Sequence, residues 1–136
     1  PGAVVLAGRL FVVLLWSLAA AGGDAAALTS RLTEVFADRL ERSGYTKGCP
    51  IATVALEVAG TNEPLRAVCS TVYESWQRVI AERLEAGSFS PAEAWTAAGQ
   101  ALALMEGAVL LASVRRSREP LDHARHAVLH LIGAKG

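Results

Sequence analysis

Three histidines, His123, His126 and His130, come closest to a chemical constellation in this chain. They lie three and four residues apart, so on a helix all three imidazoles share one face. Imidazoles in that arrangement bind transition metals, and a two-fold dimer would double the set. Three ligands from one helix seldom close a tetrahedral site, however, and Asp122 points about 100° away from His123 around the helix. The pattern is read as the polar edge of an amphipathic helix, and no metal or cofactor is assigned. Cys49 and Cys69 have no CxxC spacing and are too few for a disulfide framework, so both read as reduced, half-buried thiols. Cys49 precedes Pro50 in a turn, where only Lys47 could depress its pKa. The chain contains no Gly-rich phosphate loop, no GxSxG elbow and no HExxH. Its carboxylates fall mostly at solvated helix positions beside arginines. No catalytic residue is assigned, and catalysis is not expected.

Composition narrows the class further. At 136 residues the chain suits one compact domain that buries roughly 68% of its unfolded surface. With 52% hydrophobic and 19% charged residues it forms a core rather than staying disordered. Thirteen basic and thirteen acidic side chains cancel, which leaves no basic face of the kind that grips nucleic acid.

The elements that must position these residues are all helices. Asp24 can cap a helix with Leu28, Leu32, Val35, Phe36 and Leu40 at three- and four-residue steps, and Gly44 is its left-handed stop. Its other side carries Glu34, Asp38 and Glu41 with Arg31, Arg39 and Arg42 as a solvated face. A short apolar helix follows over residues 51–59, with Glu57 at the surface. Asn62 and Pro64 open the clearest helix, whose stripe runs through Leu65, Val68, Cys69, Val72, Tyr73, Trp76, Val79, Ile80 and Leu84. Ser90-Pro91-Ala92-Glu93 is a complete capping box. The helix beyond it is apolar around most of its girth over residues 97–112 and requires cover on several sides, which a partner chain would supply. A last helix starts near Pro120 and ends at Gly133, with Leu121, Ala124, Val128, Leu131 and Ile132 inward.

Residues 1–23 differ in character. One Arg, an apolar centre and small residues through Ala19, Ala20 and Ala21 have the outline of a secretory signal peptide. Arg9 interrupts the run, which falls short of the ~20 residues of a membrane span. If folded, residues 4–18 form a greasy helix packed on the domain.

The stretch GCPIATVALEVAGTNEPL, residues 48–65, and the ladder over 66–84 resemble the C-terminal effector-binding and dimerisation domain of TetR-family transcriptional regulators, in the branch related to LmrA and YxaF. EGAVLLASVRRSREPLDHA, residues 106–124, is similar to that family's penultimate helix, its exit and the start of its last helix. The likeness covers residues 24–132. It implies an all-α bundle of five to six helices over residues 24–136, dimerising through the last two. It also implies an apolar cavity between helices that takes a small apolar or cationic effector. Leu32, Phe36, Val54, Val72, Tyr73, Trp76, Trp95 and Met105 are the expected ligand-binding residues. Ala101, Leu104, Ala108, Leu111, Val128 and Leu131 are the expected homodimer contacts. Operator DNA would be reached only through a helix-turn-helix, of which residues 1–23 carry no trace. The segment is therefore read as the start of a truncated or frame-disrupted homologue, and an in-frame helix-turn-helix upstream of Pro1 would count against that. The alternative function is a structural dimerisation fragment without ligand or DNA binding. Either form is expected in the cytoplasm, away from membranes.

Overall fold

A computed structural model describes residues 2–20 and 23–133. It contains six helices and, among the described residues, no strand: α1 (Gly2–Ala20), α2 (Ala25–Arg42), α3 (Pro50–Val58), α4 (Glu63–Glu85), α5 (Pro91–Arg115) and α6 (Glu119–Gly133). The all-α bundle follows from helix signals that are unusually complete. The Asp24 side chain accepts a hydrogen bond from the Ala27 N–H at 3.0 Å, and the Asn62 side chain accepts from the Leu65 N–H at 3.1 Å. Both satisfy amides that the first helical turn leaves unpaired.

At α5 the capping box is reciprocal. The Glu93 N–H donates to Ser90 Oγ at 3.2 Å, and the Ser90 N–H donates to Glu93 Oε1 at 3.3 Å. Ser90→Ala is expected to cost about 1 kcal/mol, seen as a lower urea midpoint with unchanged slope.

Gly44 ends α2 with φ +64°, as its sequence position predicts, and Tyr45 follows with the same φ. A left-handed tyrosine is uncommon. Here its N–H donates to the Leu40 carbonyl at 2.7 Å and its side chain packs on the core.

Small residues set how the helices approach. On α5, Ala94, Ala97, Ala98, Ala101, Ala108 and Ala112 are buried, and they let α4 and α6 close on it from two sides. α5 is long and apolar enough to cross a membrane by length and composition, and here its alanines pack one side of it into the bundle.

α1 packs chiefly on α4 and also meets α2 and α3. A Cβ at Gly8 would lie 2.7 Å from both Val72 methyls, so only glycine allows this approach. α1 is thus the packed helix expected for this segment. The small-residue end at Ala21 lies outside the described residues.

Arg118 gathers the acids of α2. Its guanidinium reaches Glu34 at 3.1 Å, Asp38 at 3.1 Å and Glu41 at 3.3 Å, tying the α5–α6 connection to α2. These acids therefore form a single surface network around one cation from the other end of the chain.

Candidate functional site

Four aromatic residues meet where α1, α2 and α4 converge. Trp76 is 1% exposed and stands at the centre. The Tyr73 ring meets it edge-on, with centroids 5.3 Å apart and planes at 84°. Phe11 of α1 lies 4.2 Å from Trp76 and 5.4 Å from Phe36. The Trp76 indole N–H donates to the Gly8 carbonyl at 3.2 Å, which satisfies the one polar atom of a buried side chain.

Beside this cluster is a small polar group built from three elements. The Tyr73 hydroxyl on α4 donates to Glu106 Oε2 on α5 at 3.4 Å. Cys49 Sγ, in the turn before α3, lies 3.9 Å from the same hydroxyl. The turn reaches α5 because Gly48 has no side chain: a Cβ there would lie 2.9 Å from Val109 Cγ1.

Burial sets the electrostatics of the trio. It pushes the Cys49 thiol up to about 11, with the nearby Glu106 charge acting in the same direction. It also raises the Tyr73 hydroxyl, with Cys49 and Glu106 adding to the effect. The Glu106 carboxyl is raised by burial too, while hydrogen bonds from Cys49 and Tyr73 pull it the other way. Cys49 is therefore a protonated thiol at neutral pH and a poor nucleophile. Among the described residues no ion pair reaches Glu106. The trio is a hydrogen-bonding, negatively biased spot at the edge of an apolar centre, suited to a ligand's donor or cation.

Leu32, Phe36, Val72, Trp76 and Met105 share one buried cluster, with Val54 and Tyr73 packed against it half-buried. Trp95 stands apart. It is 40% exposed, with the Arg78 guanidinium 5.6 Å over its ring. The cap at Ser90 sets the phase of α5 so that Ala94, Ala97 and Ala98 face inward, which turns Trp95 out.

Open volume is also divided among these residues. Phe36 borders a groove of about 900 Å³ between α1 and α2, and Val72 borders one of about 650 Å³ between α1 and α4. Leu32 and Met105 border a space of about 40 Å³ deeper in the bundle. Glu106 was not singled out from the sequence. Its signal was available, since it is the sole acid in α5 after the capping Glu93, set among Leu, Ala, Met and Gly.

The expected dimer residues separate in a similar way. Ala101, Ala108 and Val128 are buried within the chain itself, because α5 turns its alanine stripe toward its own neighbours. Leu104 at 39% and Leu111 at 44% exposure do face outward, and Leu131 is half-buried. Leu110 and Val114 extend the open face, and beside Gly107 there is open space.

The bundle of six helices is the all-α fold of a TetR-like C-terminal domain. The family model for the transcriptional regulator LmrA/YxaF-like C-terminal domain matches residues 25–127, and the chain belongs to that family. An HTH-type transcriptional regulator of Mycobacterium tuberculosis is 31% identical over 113 residues, covering 79% of this chain and 58% of the relative. The YxaF regulator of Bacillus subtilis is 30% identical over 100 residues, covering 74% and 52%. The LmrA regulator of Bacillus subtilis is 30% identical over 86 residues, covering 63% and 46%. The chain thus spans about half the length of the curated relatives it matches. Those relatives are named as transcriptional regulators, not as enzymes.

Proposed function

We propose that this domain senses a small apolar or cationic effector and pairs two copies of a cytoplasmic transcriptional regulator, without catalysis or a cofactor. Glu106 carries this reading. A partly buried carboxylate with Tyr73 and Cys49 as neighbours, and no ion pair among the described residues, lowers the domain's stability unless a ligand compensates it. Trp76 and Phe36 in the buried core, with Tyr73 and Val54 packed against it, would supply the apolar contacts. Effector binding would favour one dimer shape over another, a population shift driven by differential affinity. DNA contact belongs to the helix-turn-helix in the relatives' names, and the C-terminal domain alone is expected not to shift operator DNA at physiological salt.

A second reading, a structural dimerisation unit without a ligand, is favoured by Phe11, which lies against Trp76 and Phe36. A thermal-shift panel of neutral aromatic and quaternary ammonium compounds separates the two, because a native-state ligand raises the melting temperature. Glu106→Gln is expected to weaken the cationic compounds by about ten-fold or more while sparing the neutral ones. A panel that leaves the melting temperature unmoved supports the structural unit instead.

The unliganded protein gives an independent check through pH. Because the folded pKa of Glu106 is raised, its contribution is most favourable below the ordinary carboxylate range. That contribution is lost as pH rises through the folded value. Glu106→Gln should therefore gain on the order of 1 kcal/mol at neutral pH, and the gain should vanish in acid.

A further inference from the structure

We propose that the groove between α1 and α2 is a second ligand site, specific for an amphipathic anion: a free single-chain carboxylate or phosphate ester with an apolar tail. The groove encloses about 900 Å³, within the usual size range of small-molecule sites. Its walls are apolar along most of their length, with Leu10, Phe11 and Leu14 from α1 facing Val35 and Phe36 from α2. Its far end is basic, with Arg39 and Arg42 on the last turn of α2 and Lys47 just beyond it.

The cations at that end have no direct ion pair among the described residues. The α2 acids Glu34, Asp38 and Glu41 all hydrogen-bond to Arg118. Asp38 also borders the groove, and its carboxylate is turned to Arg118 at 3.1 Å, a cation it shares with Glu34 and Glu41. Among the described residues no ion pair reaches Arg39, Arg42 or Lys47. Arg39 and Arg42 are three positions apart on a helix, so their like charges repel across one face, and a bound anion relieves that repulsion. Their placement in the last turn also suits the helix dipole. The dipole does not account for Lys47, which the left-handed pair Gly44-Tyr45 brings back to the same groove. Neutral donors are spent nearby: Ser43 Oγ donates to the Leu40 carbonyl at 2.9 Å and Thr46 Oγ1 to the Ser43 carbonyl at 2.7 Å. The polar end thus offers cations, the complement of a carboxylate or phosphate, beside a surface for its tail. This is the opposite preference to that at Glu106, so the two sites select different ligands.

The test is a calorimetric titration of the full chain with monomeric dodecanoate, dodecyltrimethylammonium and dodecanol, each at low and high salt. Dodecanoate should bind one site, more tightly than dodecanol, and weaken as salt rises. Arg39→Gln/Arg42→Gln/Lys47→Gln should weaken dodecanoate by about ten-fold or more, and Arg42→Glu alone should weaken it measurably. All three residues are exposed, so helicity and melting temperature should be retained in these variants. Glu106→Gln should leave dodecanoate unchanged. The proposal is overturned if the triple variant binds dodecanoate as the parent does. Equal affinity for dodecanol, ammonium binding that the triple substitution weakens, or dodecanoate binding that depends on Glu106 would overturn it too. Attachment to phosphatidylglycerol vesicles without binding of monomeric dodecanoate would assign the groove to a bilayer surface instead.

Discussion

Trp76→Ala is expected to destabilise the domain by about 3–5 kcal/mol, the range for deleting a large aromatic from a packed core. Trp76 is among the largest fully buried side chains, and three consequences of its removal add together. The ring contacts to Phe11 and Tyr73 disappear, and with them the tie between α1 and α4. The Gly8 carbonyl loses the indole N–H, although its own helix retains it in part. A void opens that α1 cannot fill, because Gly8 already lies against the Val72 methyls. Single domains are stable by about 5–15 kcal/mol, so the variant loses a large share of the total. Chemical denaturation of parent and variant measures this directly. A loss under about 1 kcal/mol would mean that α1 does not pack on α4 in solution.

Leu104→Glu/Leu111→Glu should turn the proposed dimer into a monomer while leaving the fold intact. The two leucines stand on the outer side of α5, and Gly107 and Val114 continue the same ridge at three- and four-residue steps. Burying a leucine stabilises an assembly by about 1.5–3 kcal/mol, and a two-fold interface counts each position twice. Carboxylates there would also be desolvated without partners. The dissociation constant is expected to rise by about a thousand-fold or more, read by sedimentation equilibrium. Both positions are exposed within one chain, so far-UV circular dichroism should not change. If the variant still pairs at the parent's concentration, the interface lies on another face, and the ridge of Leu6, Leu10, Val13 and Trp16 on α1 becomes the next surface to probe.

Much of the scaffold was legible from local signals. Asp24, Asn62 and Ser90 cap helices as their residue types predict, because a cap is a bond to an amide within three residues. Gly44 adopts the left-handed stop for an equally local reason. The apolar ladder of α4 buries Cys69, Val72, Trp76, Val79 and Leu84, since a period of 3.6 sends them to one side. The motif at residues 48–65 also carried enough identity for the family to be read from it.

Partnership between helices was much less legible. Trp95 and Trp76 are both aromatic residues on apolar helices, yet one lies under Arg78 at the surface and the other is sealed. Ala101 and Ala108 carry no local signal that they are buried within their own chain, as they are. Glu106 joins Tyr73 and Cys49 across separations of 33 and 57 positions, and Arg118 reaches acids about eighty residues away. Residue type and spacing therefore account for where each helix starts, stops and turns its apolar side. Which side chains meet depends on the rotation of each helix about its axis and on how closely small residues let neighbours approach. Those are properties of the packed bundle, so the polar trio and the basic groove exist only once it has formed.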